Sequence, residues 1–137
     1  MQSLTLYIDG AARGNPGPAG IGVVILGQEE MVLAEVAEYI GETTNNVAEY
    51  RALLRGLEEA LHYGADEIKV FSDSQLLVRQ INGDYQVKHP GLKPLYREAI
   101  ALIRHFPRFQ INHIPREKNK RADSLANASI DDERKEG

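Results

Sequence analysis

The spacing of the apolar residues changes part-way along this chain, and that change restricts the folds available to it. Residues 4–9 alternate apolar and polar, while 21–26 and 32–40 are strand-like and are separated by the polar segment 27–30. This pattern predicts three strands, the last two joined as a hairpin. From Val47 onward, apolar residues recur at intervals of three and four, which is typical of an amphipathic helix. The chain is therefore expected to begin as an antiparallel three-strand meander.

Strand-like and helix-like segments alternate through the rest of the chain. The first helix is expected to stop at Gly64. The segments predicted after it are, in order, a strand at 68–71, helices at 75–81 and 92–104, a strand at 109–114 and a final helix at 119–130. Strands that are reached through helices are expected to pair in parallel. The sequence thus predicts an α/β fold with a five-stranded mixed sheet, the three-strand meander plus two parallel strands, flanked by helices.

Length and composition predict one domain. The chain has 137 residues, 42% of them hydrophobic and 26% charged, which is ordinary globular composition. We expect a single domain over residues 1–130 and a charged tail at 131–137. The absence of cysteine excludes disulfides, thiol nucleophiles and cysteine–zinc sites. Because no apolar run approaches the roughly 20 residues of a membrane helix and no signal peptide is visible, we expect a cytoplasmic monomer without a membrane anchor.

Four acidic residues stand where a predicted strand ends or a predicted helix begins. Asp9 closes the first strand and Asp73 follows the fourth, and their ordinary interpretations are a turn and a helix N-cap. Glu49 lies early in the first helix, where Asn46 as N-cap would form a capping box with it. Asp123 lies early in the last helix, near its positive end. Ligand sites in α/β sheets lie beyond the carboxyl ends of parallel strands, so the four acids together also indicate a shared site.

A pocket shared by these four acids would be a site for divalent cations. Ionised carboxylates at close range repel one another by several kcal/mol, so either their pKa values rise or cations neutralise them. Ligation by oxygen alone suits Mg²⁺ or Mn²⁺, and two such ions about 4 Å apart suit in-line displacement at phosphorus. The formal net charge of −4 argues against a general nucleic-acid coat protein, but it leaves a nucleic-acid enzyme open.

Four short blocks surround these acids. They are Tyr7-Ile8-Asp9-Gly10-Ala11 with Gly14-Asn15-Pro16-Gly17, then Thr43-Thr44-Asn45-Asn46-Val47-Ala48-Glu49, then Ser72-Asp73-Ser74-Gln75, and last Asn119-Lys120-Arg121-Ala122-Asp123-Ser124-Leu125-Ala126. Each block alone is weak, but in this order they are highly specific. Over about residues 3–130 the sequence resembles type 1 ribonuclease H, whose succession of strands and helices agrees with the one predicted above.

The resemblance implies a catalytic domain that cleaves the RNA strand of RNA–DNA hybrids internally, using two divalent cations, Mg²⁺ or Mn²⁺, and leaving 5′-phosphate and 3′-hydroxyl ends. The positions that match the family's catalytic, metal-binding acids are Asp9, Glu49, Asp73 and Asp123. The positions that match its contacts to the hybrid are Asn15, Thr44, Asn45, Asn46 and Gln75. Side-chain amides suit this role because they donate to or accept from the 2′-hydroxyl that distinguishes RNA from DNA.

The chain departs from the common family pattern in two places. Many members carry a basic, aromatic-rich protrusion between the second and third helices, whereas here that stretch is only residues 82–94, so we predict weaker or more salt-sensitive binding of the hybrid. Many members also place an auxiliary histidine in a flexible loop before the last acid. His113 has the usual spacing to Asp123 but lies inside a predicted strand, so Arg116 is the preferred auxiliary group and His113 the alternative.

Three other functions are weighed against the nuclease. A hybrid-binding module without catalysis would not be expected to keep all four acids. A proofreading-type exonuclease of the same broad fold typically begins with Asp-x-Glu, whereas Asp9-Gly10-Ala11 has no second acid. A phosphoacceptor receiver domain is disfavoured by the initial three-strand meander.

Overall fold

The computed structural model describes residues 2–136, in which there are five strands and four α-helices. The strands are β1 (Ser3–Ala12), β2 (Gly17–Leu26), β3 (Val32–Thr43), β4 (Glu67–Ser72) and β5 (Arg108–His113). The helices are α1 (Asn45–His62), α2 (Gln75–Ile81), α3 (Lys93–Ile103) and α4 (Lys120–Glu136). Single 3-10 turns at Gln28–Glu30 and Arg116–Lys118 precede β3 and α4. The order of strands and helices is the one that the sequence predicts.

All five strands belong to one sheet, in the order β3-β2-β1-β4-β5. β1 pairs antiparallel with β2, and β2 pairs antiparallel with β3. β1 pairs in parallel with β4, and β4 pairs in parallel with β5. The predicted α/β fold, an antiparallel meander extended by two parallel strands, is therefore confirmed.

The first two strands and the last helix are longer than predicted. β1 extends to Ala12, which pairs with Ala19 of β2, so both strands continue past the predicted segments 4–9 and 21–26. Small residues carry little hydrophobic signal, so periodicity did not reveal this pairing. α4 runs to Glu136, past the predicted end at residue 130, so the backbone of residues 131–136 continues the helix, and residue 137 of the predicted tail lies outside the described residues. Glu, Lys and Arg are good helix formers, and a helix does not end where its apolar periodicity does.

Both faces of the sheet are covered at β1. On one face, α1 packs against Leu4, Leu6 and Ile8, all of which are almost completely buried. On the other face, α4 crosses β1, β2 and β3. It lies so close to β2 that a Cβ at Gly22 would overlap the backbone of Ala122. The strand that carries the first acid is therefore held between the two helices that carry the second and the fourth.

No helix within residues 2–136 is both long and apolar enough to cross a membrane. The cytoplasmic location and the monomeric state stay predictions from the sequence.

Candidate active site

The register between β1 and β4 brings Asp9 and Asp73 together. The parallel pairing of these strands ends at Ile8 opposite Ser72, and the two aspartates are the next residue on each side. Neighbouring strands lie about 5 Å apart, so the two carboxyl groups leave the sheet side by side. β1 then continues with β2 alone, which opens a space beyond the end of β4.

Glu49 reaches these aspartates from α1. Its side chain is almost fully buried, and its Oε1 accepts a short hydrogen bond from the backbone N–H of Gly10. A Cβ at Gly10 would overlap the backbone of Ala48, so glycine at this position lets the helix approach the strand. The sequence Asp9-Gly10 therefore supplies both a carboxylate and the close packing that brings in a second one.

One carboxylate oxygen from each of Asp9, Glu49 and Asp73 lies within 4.8 Å of the other two. Asp9 is 5% exposed and Glu49 4% exposed, so neither has much water to stabilise a charge. Burial, with the added charges of Glu49 and Asp73, raises the pKa of Asp9 to about 10. Burial also raises the pKa of Glu49 to about 8, although the Gly10 N–H opposes the shift. A cluster of this kind favours protons or cations among its oxygens.

Asp123 belongs to the same cavity but not to the tight cluster. It lies in the first turn of α4, close enough to Asp9 to be one of the smaller causes of the raised pKa of that residue. The cavity has a volume of about 250 Å³. Its lining residues are Asp9, Gly10, Ala11, Asn45, Glu49, Asp73, Ser74, Arg116 and Asp123. The four acids thus share one cavity, as the sequence predicts, with the fourth placed at the edge of the other three.

Two of the ordinary interpretations of these acids are wrong. The N-cap of α1 is Thr44, whose Oγ1 accepts a hydrogen bond from the Val47 N–H at 3.3 Å, so Asn46 is not the cap. The N-cap of α2 is Ser74, whose Oγ accepts from the Leu77 N–H at 3.2 Å, so Asp73 is not the cap. Capping therefore explains neither Glu49 nor Asp73, and both carboxylates face the cavity instead.

Arg116 and His113 occupy different positions relative to this cavity. Arg116 lies in the 3-10 turn before α4, lines the cavity, and places Nη2 3.8 Å from Asp123 Oδ1. His113 ends β5 opposite Ser72, as an exposed strand residue, and is not among the described residues that line the cavity. The strand position expected for His113 is confirmed.

The residues matched to hybrid contacts lie mostly beside the acids. Asn15, Thr44, Asn45 and Asn46 line an adjacent cavity of about 220 Å³, and Asn45 lines both cavities. Asn15 Oδ1 accepts a hydrogen bond from the Asn45 N–H at 3.1 Å, which joins the β1–β2 turn to the start of α1. Gln75 lies apart from this group, exposed in the first turn of α2.

Two further residues belong to this region and were not singled out from the sequence. His89 lines the second cavity from the α2–α3 connection, and a lone histidine in a loop carries no signal of that proximity. Asn119 is 1% exposed, and its Nδ2 donates to the carbonyl of Ile8 at 2.8 Å. The Asp123 N–H donates to the Asn119 carbonyl at 3.1 Å. Asn119 therefore joins the start of α4 to β1 next to Asp9, and only its place in the last block hinted at this.

Comparison with known proteins agrees with this arrangement. Residues 7–129 match a family model described as reverse transcriptase-like. The crystal structure of RNase H1 from the archaeon Halobacterium salinarum has a TM-score of 0.92 to this chain at 42% identity, covering 95% of this chain and 98% of that one. The chain belongs to the ribonuclease H family. The predicted resemblance is confirmed.

Other family members extend the comparison. LC11-RNase H1, whose crystal structure is in complex with an RNA/DNA hybrid, has a TM-score of 0.89 at 50% identity, covering 94% of this chain and 97% of that one. The bifunctional protein Rv2228c of Mycobacterium tuberculosis is 49% identical over 93% of this chain. Ribonuclease HI of Halobacterium salinarum is 44% identical over 92% of this chain. The chain spans 35% of the length of the first of these two relatives and 63% of the second.

Proposed function

We propose that this chain is a ribonuclease H that cleaves the RNA strand of RNA–DNA hybrids internally and leaves 5′-phosphate and 3′-hydroxyl ends. The observation that carries the proposal is the cluster of Asp9, Glu49 and Asp73 at the end of β4, where one carboxylate oxygen from each residue lies within 4.8 Å of the other two. Relatives named ribonuclease HI and a similar structure that contains an RNA/DNA hybrid support the substrate.

The donor set fits hard divalent cations. Every candidate ligand is a carboxylate oxygen, and burial raises the pKa values of Asp9 and Glu49, as expected where cations are to replace protons. We propose that Asp9, Glu49, Asp73 and Asp123 together hold two ions, Mg²⁺ or Mn²⁺. When bound, such ions activate water as a nucleophile and stabilise negative charge on a phosphoryl group.

The other residues of the two cavities would position the hybrid. The amides of Asn15, Asn45 and Asn46 are suited to bonds with the 2′-hydroxyl and the groove edges of the bases. The Thr44 oxygen accepts from Val47 in its capping role, and its hydroxyl hydrogen is still able to donate to a DNA-strand phosphate. Gln75 would reach the hybrid from the exposed start of α2. Arg116 brings a permanent positive charge to the rim, where a phosphate or a departing product would lie.

Product analysis on a uniform RNA–DNA duplex tests this function. We expect cuts inside the RNA strand, 5′-phosphate on the new ends, no cleavage of the DNA strand and none when EDTA is present. Terminal mononucleotides alone would instead indicate an exonuclease. Binding of the hybrid without cleavage, in Mg²⁺ and in Mn²⁺ alike, would indicate a binding module.

Arg116→Ala is expected to lower kcat about ten- to a hundredfold, because it removes the cation that faces the developing charge. His113→Ala should stay within about twofold of the unsubstituted chain, since His113 is outside the cavity. Single-turnover cleavage at saturating enzyme measures both effects. Lys118→Ala, which removes an exposed cation from the same 3-10 turn, is the matched control. A larger loss for His113→Ala than for Arg116→Ala would contradict this assignment.

The short α2–α3 connection is expected to make hybrid binding weak, because each missing phosphate contact lowers the affinity. Only residues 82–92 separate the two helices. The exposed Tyr85 is engaged with Arg79, whose Cζ lies 5.2 Å from the centroid of the tyrosine ring. Few aromatic or cationic groups of this connection are therefore available to a duplex. We expect a low affinity that falls by only about tenfold between about 50 and 200 mM KCl, because a few phosphate contacts release few counterions. Fluorescence anisotropy with a cleavage-deficient variant measures it. Tight binding that does not change with salt would count against this prediction.

A further inference from the structure

Asp123 is the acid whose position the tight cluster does not determine. Its side chain is 31% exposed, whereas Asp9 and Glu49 are almost completely buried. Its ion pair with Arg116 spans 3.8 Å, and the Arg116 side chain is 79% exposed, so solvent screens that attraction. A carboxylate that is to act with the three acids of the tight cluster needs a firmer restraint than this.

Asn127, one helical turn after Asp123 on α4, provides such a restraint. Its Nδ2 donates to Asp123 Oδ1 at 3.3 Å and to the Asp123 carbonyl at 3.0 Å. Residues four apart lie on the same face of a helix, so these contacts require no distortion. Asn127 is only partly exposed, and its two hydrogen bonds to Asp123 lie within α4. The amide therefore holds one oxygen of the Asp123 carboxylate by a direct hydrogen bond.

Arg13 determines which way round the Asn127 amide lies. Arg13 Nη2 donates to Asn127 Oδ1 at 3.2 Å and to its carbonyl at 3.4 Å. A guanidinium only donates and an ionised carboxylate only accepts, so an amide between them must turn its oxygen to Arg13 and its NH₂ to Asp123. The partners thus select one of the two amide orientations, and that orientation is the one that restrains Asp123.

Arg13 is itself fixed between α4 and the turn from β1 to β2. Its Nη1 donates to Asp131 Oδ1 at 2.5 Å, one turn beyond Asn127, and its backbone N–H donates to the Pro18 carbonyl at 2.8 Å. The same turn carries Asn15, which bonds to the start of α1. Asp123, Asn127 and Asp131 therefore lie on one face of α4 at spacings of four, and Arg13 attaches the β1–β2 turn to that face.

We propose that Asn127 and Arg13 are positioning residues for the nuclease reaction: Arg13 orients the Asn127 amide, and the amide holds the Asp123 carboxylate at the edge of the acidic cluster. This rests on the proposed function, because Asp123 is taken to be a cation ligand in it. Partners that orient a ligand in this way typically change metal affinity or activity by ten- to a hundredfold when they are removed. The same chain of bonds connects the ligand to the turn that carries Asn15.

Three single variants and one double variant test the pair. Asn127→Ala is expected to lower kcat about tenfold with less than about a twofold change in KM for the hybrid, and to weaken Mn²⁺ binding about three- to tenfold. Asn127→Asp keeps an acceptor for Arg13 but places an acceptor against Asp123, so kcat and Mn²⁺ affinity should fall further than in Asn127→Ala. In Arg13→Ala they should fall less than in Asn127→Ala. The double variant should have the same kcat and Mn²⁺ affinity as Asn127→Ala alone, because the two residues act through one contact.

The measurements separate this proposal from the proposed function. Calorimetric titration with Mn²⁺ in the absence of nucleic acid measures ligand positioning even if the hybrid is not the substrate, and urea unfolding shows how much stability each variant loses. Ser124→Ala, which changes an exposed polar residue of the same helix, is the control and should leave Mn²⁺ affinity unchanged.

The proposal is overturned if Asn127→Ala keeps wild-type Mn²⁺ affinity. It is also overturned if Asn127→Asp is as active as Asn127→Ala, because a scaffold that only links Arg13 to α4 would tolerate that change. Loss of hybrid cleavage in the unsubstituted chain, with Mn²⁺ affinity still dependent on Asn127, would reject the function alone.

Discussion

Asp9→Asn is expected to lower kcat for cleavage of an RNA–DNA hybrid by at least about a thousandfold. Asp9 lies between the other acids: its carboxyl is next to Glu49 and Asp73 in the tight cluster, and Asp123 lines the same cavity. Asparagine has the same shape but no charge, so it removes an anionic ligand from the centre of the site. A loss of about 4 kcal/mol of transition-state stabilisation corresponds to this factor, at about 1.36 kcal/mol for each tenfold.

The measurement is single-turnover cleavage of an end-labelled hybrid in Mg²⁺ and in Mn²⁺. Asp132→Asn removes the same charge from an exposed position of α4 outside the cavity, and it should retain wild-type activity. The folded structure of Asp9→Asn should persist, which circular dichroism checks, because the amide fits where the carboxylate was. An Asp9→Asn rate within about tenfold of the unsubstituted chain would mean that hydrolysis does not depend on this cluster.

The second large effect concerns stability and pH. Burial, with neighbouring carboxylates, raises the pKa of Asp9 from an ordinary 3.8 to about 10, and burial raises that of Glu49 from 4.5 to about 8. Above about pH 4 the folded protein therefore keeps protons that the unfolded chain releases. Their contribution to stability is complete below the ordinary pKa values and is lost as the pH rises toward the folded ones. Because the two neighbouring carboxyls titrate together, we count about one proton that the folded protein keeps and the unfolded chain releases. In the absence of divalent cations, the free energy of unfolding is then expected to fall by about 4 kcal/mol between about pH 5 and pH 8, at about 1.36 kcal/mol for each pH unit.

Urea unfolding in EDTA at several pH values measures this slope. Asp9→Asn should flatten it, because asparagine cannot take part in the shared titration, whereas Asp132→Asn should leave it unchanged. Saturating Mn²⁺ should raise the stability most at the higher pH, since the cation binds the deprotonated acids of the folded state. A metal-free stability that is flat or rises over this range, and is the same in Asp9→Asn, would be incompatible with carboxyls that share protons.

Comparison of the capping residues explains why sequence and structure assigned different roles to some acids. Asp73 and Asn46 are good N-cap residue types, and nothing local distinguishes them from their neighbours Ser74 and Thr44, which are the actual caps. Which residue becomes the N-cap depends on the residue at which the preceding strand ends. For β4, that point is set by its register with β1, a pairing between segments more than sixty residues apart.

The order and type of the strands and helices, and the identity of the acids, could be read from the amino-acid sequence because both signals are local. Apolar periodicity over a few residues decides strand or helix, and the acids lie inside short blocks with their own neighbours. Only the tertiary structure showed that Asp9 and Asp73 follow paired positions at the ends of adjacent strands. It also showed that Gly10 lets Glu49 approach them, and that Asp123 lies at the edge of the acidic cluster. It also joined Arg13 to Asn127, which are separated by 114 positions in the chain. Those facts depend on pairing and burial between distant segments, and no local pattern of residues encodes the distance between two side chains that only folding brings together.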